Sequence, residues 1–225
     1  MDLDKLDKEI KEIIRETFSE LFNIQNKTSQ NRLIFPNYNN GTIRVSEQEL
    51  RFLFIEKLND ILEKENLYYS IETPTEKKYK FTEGRKDICP ICDEENGQSA
   101  NFDLVIFDSN RETRLALIEF KAKNASAHSH AKDFCKLGNE KEGNDATLRY
   151  FIEILEKSDD KTIKNLREKK ILKNKWVTFE LDYPITIACY SLSDKDWVKL
   201  SDDSNYFYQL EHIEKNSNSA PFLHT

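Results

Sequence analysis

Residues that interrupt regular structure are scarce in this chain. It contains only five glycines and five prolines among 225 residues, which is roughly a third of the share usual in globular proteins. This scarcity excludes collagen-like proteins, flexible linkers and disordered chains rich in these two residues. Four cysteines are too few for a disulfide scaffold, so we expect a reducing, cytoplasmic environment.

Long hydrophobic runs are also absent. The longest, Leu104–Phe107 and Leu115–Ile118, contain four residues each, whereas a membrane-spanning helix needs about 20. The acidic, amphipathic start of the chain is unlike a signal peptide. The net charge of −7 argues against non-specific coating of duplex nucleic acid, although it leaves room for a local basic groove.

Hydrophobic periodicity predicts a mixed α/β fold, with a sheet flanked by helices. Helices are predicted over 2–23, 46–66, 127–137, 145–157 and 160–173, and strands over 67–73, 101–107, 114–123, 176–181 and 185–192. The second helix begins with a predicted capping box, in which Ser46 is the cap and Glu49 the third helical residue. The predicted organisation is an N-terminal helix and loop (1–45), a core (46–215) with an insertion at about 74–99, and a polar tail (216–225).

Three polar residues lie where buried strands should be apolar: Asp103, Glu119 and Lys121. Because side chains alternate along a strand, Glu119 and Lys121 share one face, at the end of an apolar row. The two strands form a predicted hairpin, and a turn centred near Arg111 places Asp103 directly opposite Glu119. We interpret Asp108, the other nearby carboxylate, as a turn residue.

Directly opposite residues of an antiparallel pair have Cβ atoms about 5 Å apart. Two carboxylates at that distance repel each other unless one takes a proton or a cation lies between them. A hard divalent ion with oxygen ligands, such as Mg²⁺, removes the repulsion. A lysine beside such an ion can orient a water nucleophile or stabilise the charge of a phosphoryl transition state. The pattern therefore favours metal-assisted phosphodiester hydrolysis.

Asp103 and the triplet Glu119-Phe120-Lys121 resemble the motif of the PD-(D/E)xK nuclease superfamily, the restriction-endonuclease-like fold. The resemblance covers about residues 46–137 and one later strand, and it departs from the motif at Phe102, where proline is usual. It implies a restriction-endonuclease-like mixed sheet flanked by helices, here with an N-terminal helical extension. It also implies that Asp103, Glu119 and the Phe120 carbonyl bind Mg²⁺ or Mn²⁺, with Lys121 as the catalytic lysine.

Many members of this superfamily also place a glutamate on the helix before the first core strand. Glu47, Glu49 and Glu56 are the candidates here. At about 100° per residue, Glu47 falls on the apolar arc of the predicted helix, and the other two lie opposite. A carboxylate on a core-facing arc needs a reason, so we predict that Glu47 assists catalysis. The alternative is that Glu47 only complements the helix dipole.

Basic residues near the motif are candidates for contact with substrate phosphates. Lys123 continues the motif strand, while Lys132 and Lys136 are four residues apart on the next predicted helix. A second basic cluster spans 161–175 and resembles one wall of a nucleic-acid groove. For all of these residues, an ordinary solvated surface is the alternative.

Cys89-Pro90-Ile91-Cys92 has the spacing of a metal knuckle. A structural zinc site needs two more ligands, and His128, His130 and Cys135 are the candidates. The alternatives are a redox or disulfide role for this cysteine pair and a simple reduced pair without metal. Cys189 lies in an apolar predicted strand, so we expect it in the core.

The sequence leads to a hypothesis of a Mg²⁺-dependent nuclease acting on DNA, with RNA as an open alternative. Prokaryotic defence or DNA processing is a setting taken from family analogy alone. Cutting both strands of a duplex would favour a homodimer. Two other hypotheses are a non-catalytic nucleic-acid-binding or interaction module on the same fold, and a zinc-stabilised adaptor built around Cys89 and Cys92.

Overall fold

The computed structural model describes residues 2–44, 46–81, 90–92, 95–123, 125–167, 181–200 and 206–210. Within these ranges the chain is an α/β protein, in which two N-terminal helices precede a mixed β-sheet with flanking helices. None of the helices described there is long and apolar enough to cross a membrane.

Helix α1 spans Leu3–Asn26 and confirms the first predicted helix. Asp2 caps its N-terminus, where the carboxylate accepts a hydrogen bond from the N–H of Asp4 at 3.1 Å. Lys27 ends the helix in the left-handed conformation, with φ 60°. The apolar stripe that predicted the helix is its buried face; it consists of Leu6, Ile10, Ile13, Ile14, Phe18 and Leu21.

Helix α2 spans Glu47–Glu65 and confirms the second predicted helix. Ser46 is its cap, since the hydroxyl accepts a hydrogen bond from the N–H of Gln48 at 3.2 Å. The reciprocal half of the predicted capping box is wrong. One oxygen of Glu49 pairs with Arg44 and the other is buried without a hydrogen-bond partner, so Arg44 outcompetes the backbone of Ser46.

Eight described strands form one sheet. They are β1 (Tyr68–Phe81), β2 (Pro90–Cys92), β3 (Gln98–Phe107), β4 (Arg114–Ala122), β5 (Leu148–Leu155), β6 (Ile185–Ser191), β7 (Asp196–Trp197) and β8 (Tyr208–Leu210). Seven of them follow the order β2-β1-β3-β4-β5-β6-β7, and β8 pairs with β6. Strands β4 and β6 run parallel to β5, and the other described pairs are antiparallel.

Helices cover the sheet on both faces. Helices α1 and α2 share a hydrophobic cluster with Ile118 of β4. Helix α3 (Ala127–Leu137), which ends at Gly138 as predicted, shares a second cluster with Leu117. Helix α4 spans Asp160–Arg167, and a 3-10 turn spans Glu140–Glu142. Successive residues of β4 therefore point to opposite layers, and Glu119 and Lys121 follow Leu117 to the α3 side.

The predicted helix over 145–157 is wrong, because Leu148–Leu155 is strand β5. Leu148, Phe151, Ile152 and Leu155 recur at helical spacing, yet the strand lies between β4 and β6 and is buried on both faces. Strands of that kind carry nearly continuous apolar runs, in which helical spacing arises by coincidence.

The predicted insertion at about 74–99 is only partly outside the sheet. Strand β1 continues to Phe81 and pairs with β2 and with the start of β3, so the polar residues 74–81 belong to a long strand. The strand over 185–192 is confirmed as β6, and the helix over 160–173 is confirmed as far as Arg167. The rest of that helix, almost all of the strand over 176–181 and the tail 216–225 lie outside the described residues.

Candidate functional site

The β3–β4 hairpin has the predicted register from Leu104 to Ile106, and an irregularity then shifts Phe107, which pairs with Arg114. Leu104 pairs with Ile118, and Val105 pairs with Leu117. At the residue before Leu104, the carboxylate of Asp103 accepts a hydrogen bond from the backbone N–H of Phe120 at 2.7 Å. Asp103 is thereby fixed to the part of β4 that carries Glu119 and Lys121.

Lys121 lies among oxygen atoms from two helices and its own strand. Its Nζ is 3.0 Å from Asp133 Oδ2 on α3 and 3.8 Å from Glu47 Oε1 on α2. It also donates a hydrogen bond to the Phe120 carbonyl at 3.2 Å. Burial acts to lower the pKa of Lys121, but the carboxylates of Asp133, Glu119 and Glu47 outweigh it and raise that pKa. Lys121 is therefore a protonated ammonium at neutral pH.

Glu119 is buried and is paired with a second lysine. Its Oε1 lies 2.6 Å from Lys136 Nζ, which also lies 3.2 Å from Asp133 Oδ1 and donates to the Asn101 carbonyl at 2.7 Å. Burial raises the pKa of Glu119 well above its usual value, and Lys136 opposes that shift. Burial acts to lower the pKa of Lys136, but the Glu119 and Asp133 carboxylates outweigh it and raise that pKa.

Asp103, Glu119, Lys121, Asp133 and Lys136 form one group, which we call the carboxylate–lysine cluster. Two strands and one helix supply its members. Glu47 lies at its edge, with a side chain that is 44% exposed. Burial raises the pKa of Glu47, Lys121 lowers it, and Asp103 and Asp133 raise it further. The structure thus brings together the four predicted catalytic residues.

The other two candidate glutamates point elsewhere. Glu49 pairs with Arg44, and Glu56 accepts a hydrogen bond from the Asn31 amide at 2.8 Å. Only Glu47, of the three, is placed beside Lys121. Glu47 thus lies beside Lys121, and its role in catalysis stays a prediction.

Two residues of the site were missed by the sequence reasoning. Asp133 precedes Lys136 by one helical turn, so the pair was visible as an (i, i+3) ion pair on the helix after the motif strand. Arg51 follows Glu47 by one turn on α2. Its Nη1 lies 3.6 Å from Asp103 Oδ1 and 2.7 Å from Glu72 Oε1. Arg51 could have been recognised from its position four residues after Glu47, on the same face of the helix.

The predicted phosphate-binding lysines have different surroundings. Lys123 is exposed and donates a hydrogen bond to the Tyr38 hydroxyl at 2.6 Å. Lys132 is half-buried on α3. Lys136 is buried within the carboxylate–lysine cluster, so in this arrangement its ammonium contacts protein oxygens. The shared exposed face expected for Lys132 and Lys136 is therefore not formed.

An open groove of about 880 Å³ adjoins the cluster at Glu47. Arg44 and Lys123 bring cationic side chains to it, and Ile34 and Phe52 are strongly exposed apolar residues of its lining. The remaining lining residues are Leu33, Pro36, Ser46, Gln48, Glu49 and Ala122. The groove provides a path from solvent to the edge of the site.

The donor chemistry of the cluster fits Mg²⁺ or Mn²⁺. Asp103 and Glu119 offer hard carboxylate oxygens and Phe120 a carbonyl, and Mg²⁺ is commonly bound through one or two carboxylates and several waters. Over the described ranges, no group of three or more His, Cys, Asp or Glu side chains is arranged to hold a metal ion. The ammonium groups of Lys121 and Lys136 lie beside these carboxylates.

Most of the predicted zinc ligands cannot be placed. Cys89 and the side chains of Cys92 and His128 lie outside the described residues. His130 Nε2 lies 3.1 Å from Glu153 Oε1, and Cys135 is buried on α3. The zinc site stays a prediction, as does the basic cluster over 161–175, most of which is not described either.

A second buried polar contact lies beside the cluster. Glu153 of β5 is fully buried, and its Oε1 contacts His130 and accepts a hydrogen bond from the N–H of Ala125 at 3.2 Å. Glu153 pairs in register with Lys121 on one side and with Cys189 on the other. Cys189 is in the core, as predicted, and burial together with Glu153 raises the pKa of its thiol.

Comparison with known proteins gives no independent indication of function. No protein-family model, no curated protein and no solved structure matches the chain.

Proposed function

We propose that this protein is a Mg²⁺-dependent nuclease with a restriction-endonuclease-like fold, which hydrolyses phosphodiester bonds of DNA. The observation that carries the proposal is the convergence of Asp103, Glu119, Lys121 and Glu47, which come from three separate elements. Polar residues of an ordinary surface strand are not expected to lie beside both a glutamate from a separate helix and a largely buried lysine. The order of helices and strands around the hairpin also supports this fold.

Asp103 and Glu119 are the residues that would hold the ion, with the Phe120 carbonyl as a third oxygen. When bound there, Mg²⁺ would activate a water molecule and neutralise developing charge on the phosphate. The hydrogen bond from the Phe120 N–H fixes one oxygen of Asp103, leaving the other oriented beside Arg51. The protein's contribution is thus a pair of positioned carboxylates at the end of an apolar hairpin.

Lys121 supplies a fixed positive charge and hydrogen-bond donors. Its pKa is raised by Asp133, Glu119 and Glu47, so it carries a proton throughout the neutral pH range. Such a group orients the attacking water or stabilises the negative charge that develops on the phosphate oxygens. Asp133, at 3.0 Å, holds the ammonium in place.

Glu47 assists from the solvent side of the cluster. Its carboxylate is partly exposed, faces Lys121 and lines the groove. Because burial raises the pKa of Glu47, it is a better proton acceptor than an exposed glutamate. We assign it the role of orienting the water that reaches the site through the groove.

The groove is the proposed approach for the nucleic acid. Lys123 and Arg44 lie along it and supply positive charge near Glu47, and Lys132 on α3 is a further candidate for phosphate contact. One such site cuts one strand, so cleavage of a duplex favours a homodimer. Defence against foreign DNA and DNA processing are the settings we propose by analogy of fold.

The test is cleavage of supercoiled plasmid and of single-stranded DNA and RNA, with Mg²⁺ or Mn²⁺, by wild type and Lys121→Ala. We expect metal-dependent cutting by the wild type and its loss in the variant. Cutting that is equally strong in both proteins would contradict the assigned site. The panel of substrates also decides between DNA and RNA.

A non-catalytic nucleic-acid-binding module on the same fold is the second candidate. It is favoured by the pairing of Glu119 with Lys136, because a carboxylate already neutralised by an ammonium has less need of a metal ion. Binding of labelled DNA without any cleavage, together with no calorimetric heat on addition of Mg²⁺ or Mn²⁺, would support this candidate over the nuclease.

A further inference from the structure

Lys136 is an unusual lysine for the surface helix on which the sequence places it. Its side chain is 8% exposed, and its Nζ contacts Glu119, Asp133 and the Asn101 carbonyl. A lysine is rarely buried unless it is paired. Here the pairing is with Glu119, the carboxylate that the proposed function assigns to metal binding.

The two most buried carboxylates of the cluster have lysine partners without a metal ion. Lys136 pairs with Glu119 and Asp133, and Lys121 pairs with Asp133. A divalent cation beside Glu119 would add two positive charges close to Nζ of Lys136. In a buried site that repulsion is poorly screened by solvent.

We propose that Lys136 is a built-in counter-ion of Glu119, which competes with the metal ion and lowers the affinity of the free protein for it. This inference rests on the proposed function, because it assumes that Glu119 is a metal ligand. The lysine also stabilises the fold in the absence of metal, since a buried carboxylate without a partner is costly. Lys136 is thus a positioning residue that regulates occupancy of the site.

The arrangement requires that metal and Lys136 substitute for one another at Glu119. Without Lys136, the charge of Lys121 would balance the buried carboxylate only in part, and a proton or an external cation would have to complete its neutralisation. Removal of the charge on Lys136 should therefore lower the stability of the metal-free protein and also raise its affinity for the metal ion. A lysine with only a packing role would produce the first effect and not the second.

The test is calorimetric titration of Mn²⁺ at pH 8 into wild type, Lys136→Met and Lys5→Met. Lys5 is the matched control because it pairs with Glu65 at 2.5 Å on the protein surface, away from the site. We expect the dissociation constant for Mn²⁺ to fall about tenfold or more in Lys136→Met and to stay unchanged in Lys5→Met. We also expect Mn²⁺ to raise the melting temperature of Lys136→Met more than that of wild type.

Lys136→Gln serves as a second variant, because glutamine removes the charge but keeps a hydrogen-bond donor for Glu119 if methionine prevents folding. Equal Mn²⁺ affinities in wild type and folded Lys136 variants would overturn the inference. If wild type still cleaves nucleic acid in a metal-dependent manner, that result leaves the proposed function standing. No Mn²⁺ binding in any variant, together with no cleavage, would overturn both.

Discussion

The carboxylate of Asp103 accepts a hydrogen bond from the backbone N–H of Phe120 at 2.7 Å. This contact joins β3 to β4 between the two polar residues of the motif, Glu119 and Lys121. A side chain takes the place of a backbone acceptor there, so Asp103 is held by the sheet itself. The position of the first proposed metal ligand is therefore set by this contact, one residue beyond the last described β3–β4 pair, Leu104 with Ile118.

Asp103→Asn should separate the structural and chemical roles of this residue. The amide oxygen of asparagine still accepts the hydrogen bond from Phe120, so we expect the melting temperature to change by no more than about 2 °C. The negative charge is lost, so metal-dependent cleavage should fall by about 100-fold or more. Plasmid cleavage and thermal unfolding followed by circular dichroism measure the two effects. Cleavage by this variant at the wild-type rate would contradict the assignment of Asp103 as a metal ligand.

Lys121→Ala should slow cleavage by about 100-fold or more, because the charge that stabilises the transition state is lost. Binding of the nucleic acid should change by less than the rate does, since one ammonium among several cations is removed. Lys141→Ala is the control, because Lys141 is exposed and its ammonium pairs with its neighbour Glu140 at 2.7 Å. Single-turnover cleavage and fluorescence anisotropy with labelled DNA give the rate and the affinity. A loss of affinity as large as the loss of rate would contradict the assigned role.

Asp133→Asn tests whether Asp133 acts by positioning Lys121. Removing this carboxylate leaves Lys121 with a weaker partner, so we expect a rate loss of about tenfold, smaller than that of Lys121→Ala. In the Lys121→Ala background the same substitution should have little further effect on the rate, because the group it positions is gone. Additive losses in the double variant would show that Asp133 acts independently of Lys121.

Glu153→Ala should destabilise the protein without removing any of the residues assigned to metal binding or catalysis. It removes the buried partner of His130 and of the Ala125 N–H, which we expect to cost about 3 kcal/mol of unfolding free energy. Glu156→Ala, at an exposed position just after β5, should change stability by no more than about 0.5 kcal/mol. Urea unfolding followed by tryptophan fluorescence provides the comparison. Equal stabilities of the two variants would show that the buried contact contributes nothing.

The sequence alone determined the first two helices, the β3–β4 hairpin and the identity of its polar residues. Helices α1 and α2 carry their signals locally, as an apolar stripe and, for α2, the cap at Ser46. The hairpin register follows from a short connection between two strands, which leaves few alternative pairings. Asp103, Glu119 and Lys121 were recognisable because polar side chains are costly in buried strands.

Only the tertiary structure decided that 148–155 is a strand and that Lys136 belongs to the interior. The apolar spacing of β5 fits a helix equally well, and its parallel neighbours β4 and β6 made it a strand. The sequence pattern of Lys136, Asp133 and Arg51 is that of solvated charges on helices. Their partners are brought near only when α2 and α3 pack against the sheet. Sequence periodicity reports which face of an element is apolar, whereas the partner of a charge comes from a distant segment that only folding brings near.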